Sequence, residues 1–410
     1  MKDKRSMLSV LFGTPKGEDA SRSLVRAASA GQTERIAELR GRGGDINFRD
    51  ETYVPVLSDD VDGRDPENQK TFAIIEALKN GRAKTALYLI ENDADCTMKY
   101  DDRYAGRHGT YKPIDYVLGS GYRDGEFTAS EQNDLIKAMI ENAQNPADLL
   151  SEKTTGIAVD YARHESIPVL AEMGAEFSDQ DFVRAASPLH NPASAVPTLE
   201  ALYPYVDSVN VSDGYGRNAG HHAASQLNLD AFVWLEGKGL DKDAYANGVN
   251  TPGYAQCVAT AWNRGLGTSH EEFAKHLVKN GYETIYDASS SINGWSHSPA
   301  DRAIDEGNLN VALVFIDAGT PVTDDMIVSA VYKRRFNSHN TEQLISFLDQ
   351  IDSRGQLSES AMQGAMDQII KEASILNEYI PGPYNKRAVD IYSPVARYLI
   401  DKMPELADKL

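Results

Sequence analysis

The chain has 410 residues, 41% of them apolar, with 41 Lys and Arg set against 61 Asp and Glu for a formal net charge of −20. Such a length exceeds what one hydrophobic core usually supports, so it implies two or three domains or an array of units that pack only on their neighbours. The acid excess argues against nucleic acid and anionic membrane surfaces, which need a basic face to displace counterions, and leaves solubility and a basic partner as its uses.

Residues 1–22 read as a leader. The start MKDKRSMLSVLFG has too short an apolar stretch for the ~7–15-residue core of a secretory signal, and no run approaches the ~20 apolar residues of a membrane span. Cys96 and Cys257 lie far apart, in a loop exit and a helix, which disfavours a disulfide and fits a reducing compartment. A cytoplasmic location is expected, with export into a host cell without a classical signal as the alternative.

From Ser23 a helical pair runs to Arg42. A long acidic connection, 45–70, leads to a second pair over Thr71–Asn92. Residues 96–113, CTMKYDDRYAGRHGTYKP, form an enlarged loop, and a third pair follows, opening at Pro113 and resuming as Glu131–Asn142. The fourth pair is Gly156–Arg163 and Ile167–Met173, with Pro168 in a first turn where its missing N–H costs nothing. The fifth is Gln180–Ser187 with a helix from Pro197. The Val-x-x-Val-x-Val pattern of 206–211 followed by Asp213-Gly214 signals a hairpin.

The next stretch, RNAGHHAASQLNLDAFVWLEGKGLD, is two short helices back to back. Ala219–Gln226 is small-residue rich, Leu229–Lys238 carries Leu229, Phe232, Val233 and Leu235, and Gly239 stops it where a left-handed residue is cheap. Neither helix can bury its apolar face alone, so the unit requires neighbours of its own kind. Tyr254–Trp262 with Ser269–Asn280, the latter capped by Ser269 and Glu272, is the next copy. Ser298-Pro299 opens the clearest one, with Leu309–Asp317 as its second helix and Gly319 as its stop. Met326–Arg334 and Thr341–Asp349 make a divergent pair. A helix capped by Ser360 and Gln363, then a last helix from Ser393-Pro394, read as a terminal cap.

This pattern resembles the ankyrin repeat in a degenerate, bacterial-type form. Thr251-Pro252 and Ser298-Pro299 match its opening, Ala27-Ala28, Ala185-Ala186 and Ala223-Ala224 its small pair, and Gly43-Gly44-Asp45, Asp93-Ala94-Asp95, Gly174-Ala175-Glu176 and Gly239-Leu240-Asp241 its exit. The expected fold is therefore all-α: an ankyrin-like solenoid of stacked helix–turn–helix repeats with extended hairpin and loop fingers. Its expected limits are a leader at 1–22, about eight repeats over 23–324, and a divergent repeat with a helical cap over 325–410. The exit glycines at 239, 281 and 319 are spaced more widely than the family period of about 33 because the loops are enlarged.

Chemistry finds little purchase. Adjacent helical residues point about 100° apart, so His221 and His222 cannot easily share a metal, and no Cys or His spacing suits a site. Cys257 on a first helix reads as a small core residue rather than a nucleophile. No phosphate-cradling glycine loop or calcium loop is present. No enzyme, cofactor or metal is expected. The resemblance implies that His221, His222 and Asp301 fasten loops structurally, and that fingers and first helices grip protein partners. Aromatic and Arg side chains dominate interface energetics, so Tyr100, Arg103, Tyr104, Arg107, Tyr111, Tyr215, Arg217, Tyr245, Tyr286 and Trp295 are the expected contact residues, each weighed against plain loop packing. The expected function is a monomeric, non-catalytic scaffold for protein–protein interaction. The alternatives are a host-directed effector or an inhibitor or immunity protein with one target, with an unrecognised activity in 325–410 left open.

Overall fold

The computed structural model describes residues 17–50, 71–102, 109–119, 127–188, 192–242, 244, 253–261, 269–284, 298–332, 341–379 and 384–409. The chain divides into two compact units, Met1–Asp207 and Ser208–Leu410.

In the first unit, helices come in pairs: α1 Glu18–Ser29 with α2 Thr33–Gly41, α3 Ala73–Lys79 with α4 Ala83–Glu91, α5 Pro113–Gly119 with α6 Ala129–Asn142, α7 Glu152–Asp160 with α8 Ile167–Glu172, and α9 Asp179–Ala185 with α10 Ala195–Leu202. First helices pack on first helices (α1 on α3, α3 on α5, α5 on α7, α7 on α9), and second helices do the same from α2 to α10. Two parallel rows result, with Leu24, Ile36, Ile74, Leu89, Ile114, Leu135, Leu170 and Phe182 fully buried between them. Short helices this small are marginal alone; burial of one stripe of each against two neighbours holds them. One short antiparallel hairpin, β1 Tyr100–Asp102 and β2 Gly109–Tyr111, pairs Tyr100 with Tyr111.

The second unit repeats the plan with α11 Ala219–Ser225 and α12 Leu229–Gly237, α13 Gly253–Ala259 and α14 His270–Lys279, α15 Pro299–Asp305 and α16 Leu309–Asp317, α17 Asp324–Tyr332 and α18 Thr341–Ser353, and α19 Glu359–Tyr379 and α20 Tyr384–Lys402. The first-helix row runs unbroken from α11 to α19. Phe232 of α12 and Phe273 of α14 meet Tyr254 of α13 and Tyr282 in an edge-to-face cluster between the rows, Phe232 lying 5.0 Å from Tyr254 and 5.1 Å from Phe273. In α16, six of the nine residues are buried, because helices stand against it in both rows.

Boundaries follow caps. Thr128, Ser178, Asn218 and Ser298 each close a reciprocal capping box, satisfying two orphan N–H groups at a helix start. Gly239 is left-handed at φ +92°, as its place after α12 requires. Two expectations are corrected. The helix after Gln356 is capped by Ser358, whose hydroxyl accepts from the Ala361 N–H, while Ser360 turns away to Asp324. The final helix begins at Tyr384 and runs through Pro394 instead of starting there. Both α17–α18 and α19–α20 continue the two rows, so the stretch read as a cap repeats the pair architecture.

Candidate functional site

The connection between α10 and α11 is a finger whose shape is set by one carboxylate. Asp213 Oδ1 accepts from the backbone N–H groups of Tyr215 at 2.8 Å and Arg217 at 3.0 Å, and Oδ2 accepts from Arg217 Nε at 3.1 Å. His222 Nε2 lies 3.2 Å from the same Oδ2, tying α11 to the finger. The Asp213 N–H donates to the Arg217 carbonyl, and a bridge between Ser212 and Asn218 closes the base. Burial pushes the Asp213 carboxyl up, but the N–H groups of Arg217 and Tyr215, the His222 ring and the Arg217 guanidinium outweigh it and hold it below the ordinary carboxylate value. The Asx-type part of this turn is fixed by bonds within four residues of Asp213.

What the turn displays is Tyr215, 71% exposed, with the Arg217 guanidinium 5.3 Å from its ring. The side chain of Arg217 is itself 44% exposed. The turn thus holds an outward aromatic beside an Arg, two side-chain types that protein interfaces favour.

His221 is placed differently from its neighbour. It is 2% exposed, its Nδ1 lies 2.8 Å from Asn218 Oδ1 inside the α11 capping box, and its ring packs 4.7 Å from that of Tyr254. Its Nε2 is buried, with the backbone of Ala244 beside the ring. Burial, followed by the nearby His222 and Arg217, pushes its pKa down to about 4. The bond onward to the next loop comes from Tyr254, whose hydroxyl donates to the Asp241 carbonyl at 2.6 Å and accepts from Asn218 Nδ2 at 2.9 Å. Asp301 likewise closes its own box, taking the Ser298 N–H and hydroxyl at 2.8 and 2.7 Å.

Among the other expected contact residues, Tyr100 is 1% exposed, with Lys79 4.1 Å from its ring centroid and bonded to its hydroxyl; it is a packing residue, because β1 turns it inward onto α3. Tyr111 is half-buried under Lys153, 3.9 Å from its ring centroid. Arg103, Tyr104, Arg107, Tyr245, Tyr286 and Trp295 lie outside the described residues. The structure also shows contact-type residues that sequence reasoning passed over: Tyr203 and Tyr205, 39% and 40% exposed on a one-turn helix after α10. The Tyr-Pro-Tyr sequence at a helix end was the available signal.

Neither cysteine is set up as a nucleophile. Burial pushes the thiols of Cys96 and of the half-buried Cys257 up to about 12, so neither is a thiolate at neutral pH. No group of three or more His, Cys, Asp or Glu converges among the described residues, and none of the described helices is long and apolar enough to cross a membrane.

In each unit the class of architecture is the all-α array of stacked helix–turn–helix repeats. No family model and no curated protein matches the chain. Among solved structures, the ankyrin repeat domain of human ASB11 is similar at a TM-score of 0.39 and 16% identity, over 61% of this chain and 94% of that one.

Proposed function

We propose that the protein is a non-catalytic binding scaffold that recognises a protein partner through rigid finger loops. The observation that supports this is the Asp213 turn, which spends five hydrogen-bond and ionic contacts on holding Tyr215 in solvent. An aromatic exposed at such a loop tip contributes nothing to the core, and Tyr and Arg are the side chains from which interfaces draw most of their energy. The net charge of −20 favours a partner with a basic face. A photo-crosslinking residue at position 215 tests the reading. It should yield one or a few stoichiometric protein adducts from cognate lysate, while the same probe at Glu359, exposed and remote in sequence, should not. Equal, diffuse labelling from both positions would refute a dedicated contact at the finger.

A further inference from the structure

The first unit has a cleft that lies apart from the Tyr215 finger in the chain. Within this unit the connections 42–72 and 92–112 are long, whereas 143–151 and 173–178 are short. Between them lies a cleft of about 600 Å³ lined by Pro146, Leu150, Met173 and Phe177, with Glu152 and Glu176 at its rim. Phe177 stacks on Tyr205 with ring centroids 5.8 Å apart, which extends the apolar floor to the exposed Tyr203-Pro204-Tyr205 turn. A cleft this size accepts one or two side chains rather than a folded domain.

Charge decides what fits. Glu152 and Glu176 are exposed and make no ion pair among the described residues. The cations nearest in the chain are already engaged: Lys153 stands over the Tyr111 ring, Arg163 donates to the Leu118 carbonyl and Arg184 pairs with Asp160. The rim is therefore an acidic pair around an apolar floor. We infer that this cleft docks an extended, basic segment of a partner protein, placing an aliphatic or prolyl side chain against Met173 and Phe177 and a Lys or Arg between Glu152 and Glu176.

The test uses the full chain with isotope-labelled methionine methyl groups, the Met173 signal being assigned by its loss in Met173→Leu. Two degenerate peptide pools of about ten residues and equal Leu and Pro content, one Lys-rich and one Glu-rich, are titrated in. The Lys-rich pool should shift the Met173 methyl saturably. Affinity should fall about tenfold or more in Glu152→Gln/Glu176→Gln and with added salt, with the melting temperature unchanged and Tyr215→Ala without effect. No shift with the Lys-rich pool, or equal shifts with both pools, would overturn the inference. So would a Met173 shift that depends on protein concentration with no peptide present, which would assign the cleft to a second copy.

Discussion

Thr154 Oγ1 sits 2.8 Å from Asp115 Oδ1, joining α7 to α5 across the boundary between two helix pairs. Both residues are buried. The hydroxyl also lies 2.9 Å from the Leu149 carbonyl, and its single proton serves a carboxylate that accepts from the Lys112 N–H as well. Thr155, the next residue, reaches the other way to Asp181 Oδ2 at 3.3 Å on α9. Two consecutive threonines thus stitch three first helices together. Removing a hydroxyl that satisfies a buried carboxylate leaves the acceptor desolvated, so Thr154→Val should lower unfolding stability by about 1–3 kcal/mol. Urea denaturation with an unchanged m-value checks it; a loss below about 0.5 kcal/mol would show that water replaces the bond.

A second stitch recurs in both units. Asn47 Nδ2 donates to the Asp93 carbonyl at 3.0 Å and its Oδ1 accepts from the Asp95 N–H at 2.7 Å. Asn210 does the same with Gly239 at 3.0 Å and Asp241 at 2.8 Å. Each amide satisfies both a donor and an acceptor on the exit of the following repeat. These bonds are exposed, so Asn210→Ala should cost only about 1 kcal/mol. Its sharper signature is faster hydrogen exchange at the Asp241 amide, with protection in α15 and α16 retained.

Gly220 marks a close approach. A Cβ there would stand 2.7 Å from the Tyr254 ring and 2.8 Å from Leu240 Cδ2. Tyr254 cannot retreat, because its hydroxyl is fixed between Asp241 and Asn218. Gly220→Ala should therefore destabilise by about 1–3 kcal/mol, despite alanine's better helix propensity. A thermal melt reports it, and a neutral or stabilising result would show that the tyrosine moves.

His221 makes stability pH-dependent. Its pKa is about 4 when folded against an ordinary value of about 6.5, so between those values the unfolded chain binds the proton and the folded chain does not. Stability is therefore fully present above about pH 6.5 and is lost as pH falls toward 4. From pH 7 to pH 5 the contribution amounts to about 2 kcal/mol. His221→Gln should remove that part of the slope, measured as the difference between the two proteins in urea at each pH. Parallel slopes would contradict the burial argument.

The helix pairs were legible in the sequence because apolar spacing, capping residues and exit glycines agree: Leu309–Asp317 is found with the bounds expected of it. The final helix was obscured because Pro394 looks like a helix start, and local propensity yielded to packing of α20 against α18 and α19. At the candidate site, Tyr215 was visible from its place beside Asp213-Gly214. Tyr100 misled because strand alternation, which turns it inward, cannot be read from a loop of unknown register. The role of Asp115 and Asp181 depends on Thr154 and Thr155 lying opposite them, a relation between repeats that no single repeat displays. The cleft is still less legible, since it arises from loops that are short.

The most direct measurement of the central claim is the affinity of the partner captured through position 215 for wild-type protein and for Tyr215→Ala, by calorimetry at one salt concentration. Loss of an exposed hot-spot aromatic should weaken binding by about tenfold or more, with the melting temperature unchanged because the ring is 71% exposed. Undiminished binding by Tyr215→Ala would contradict the assignment of this finger as the contact.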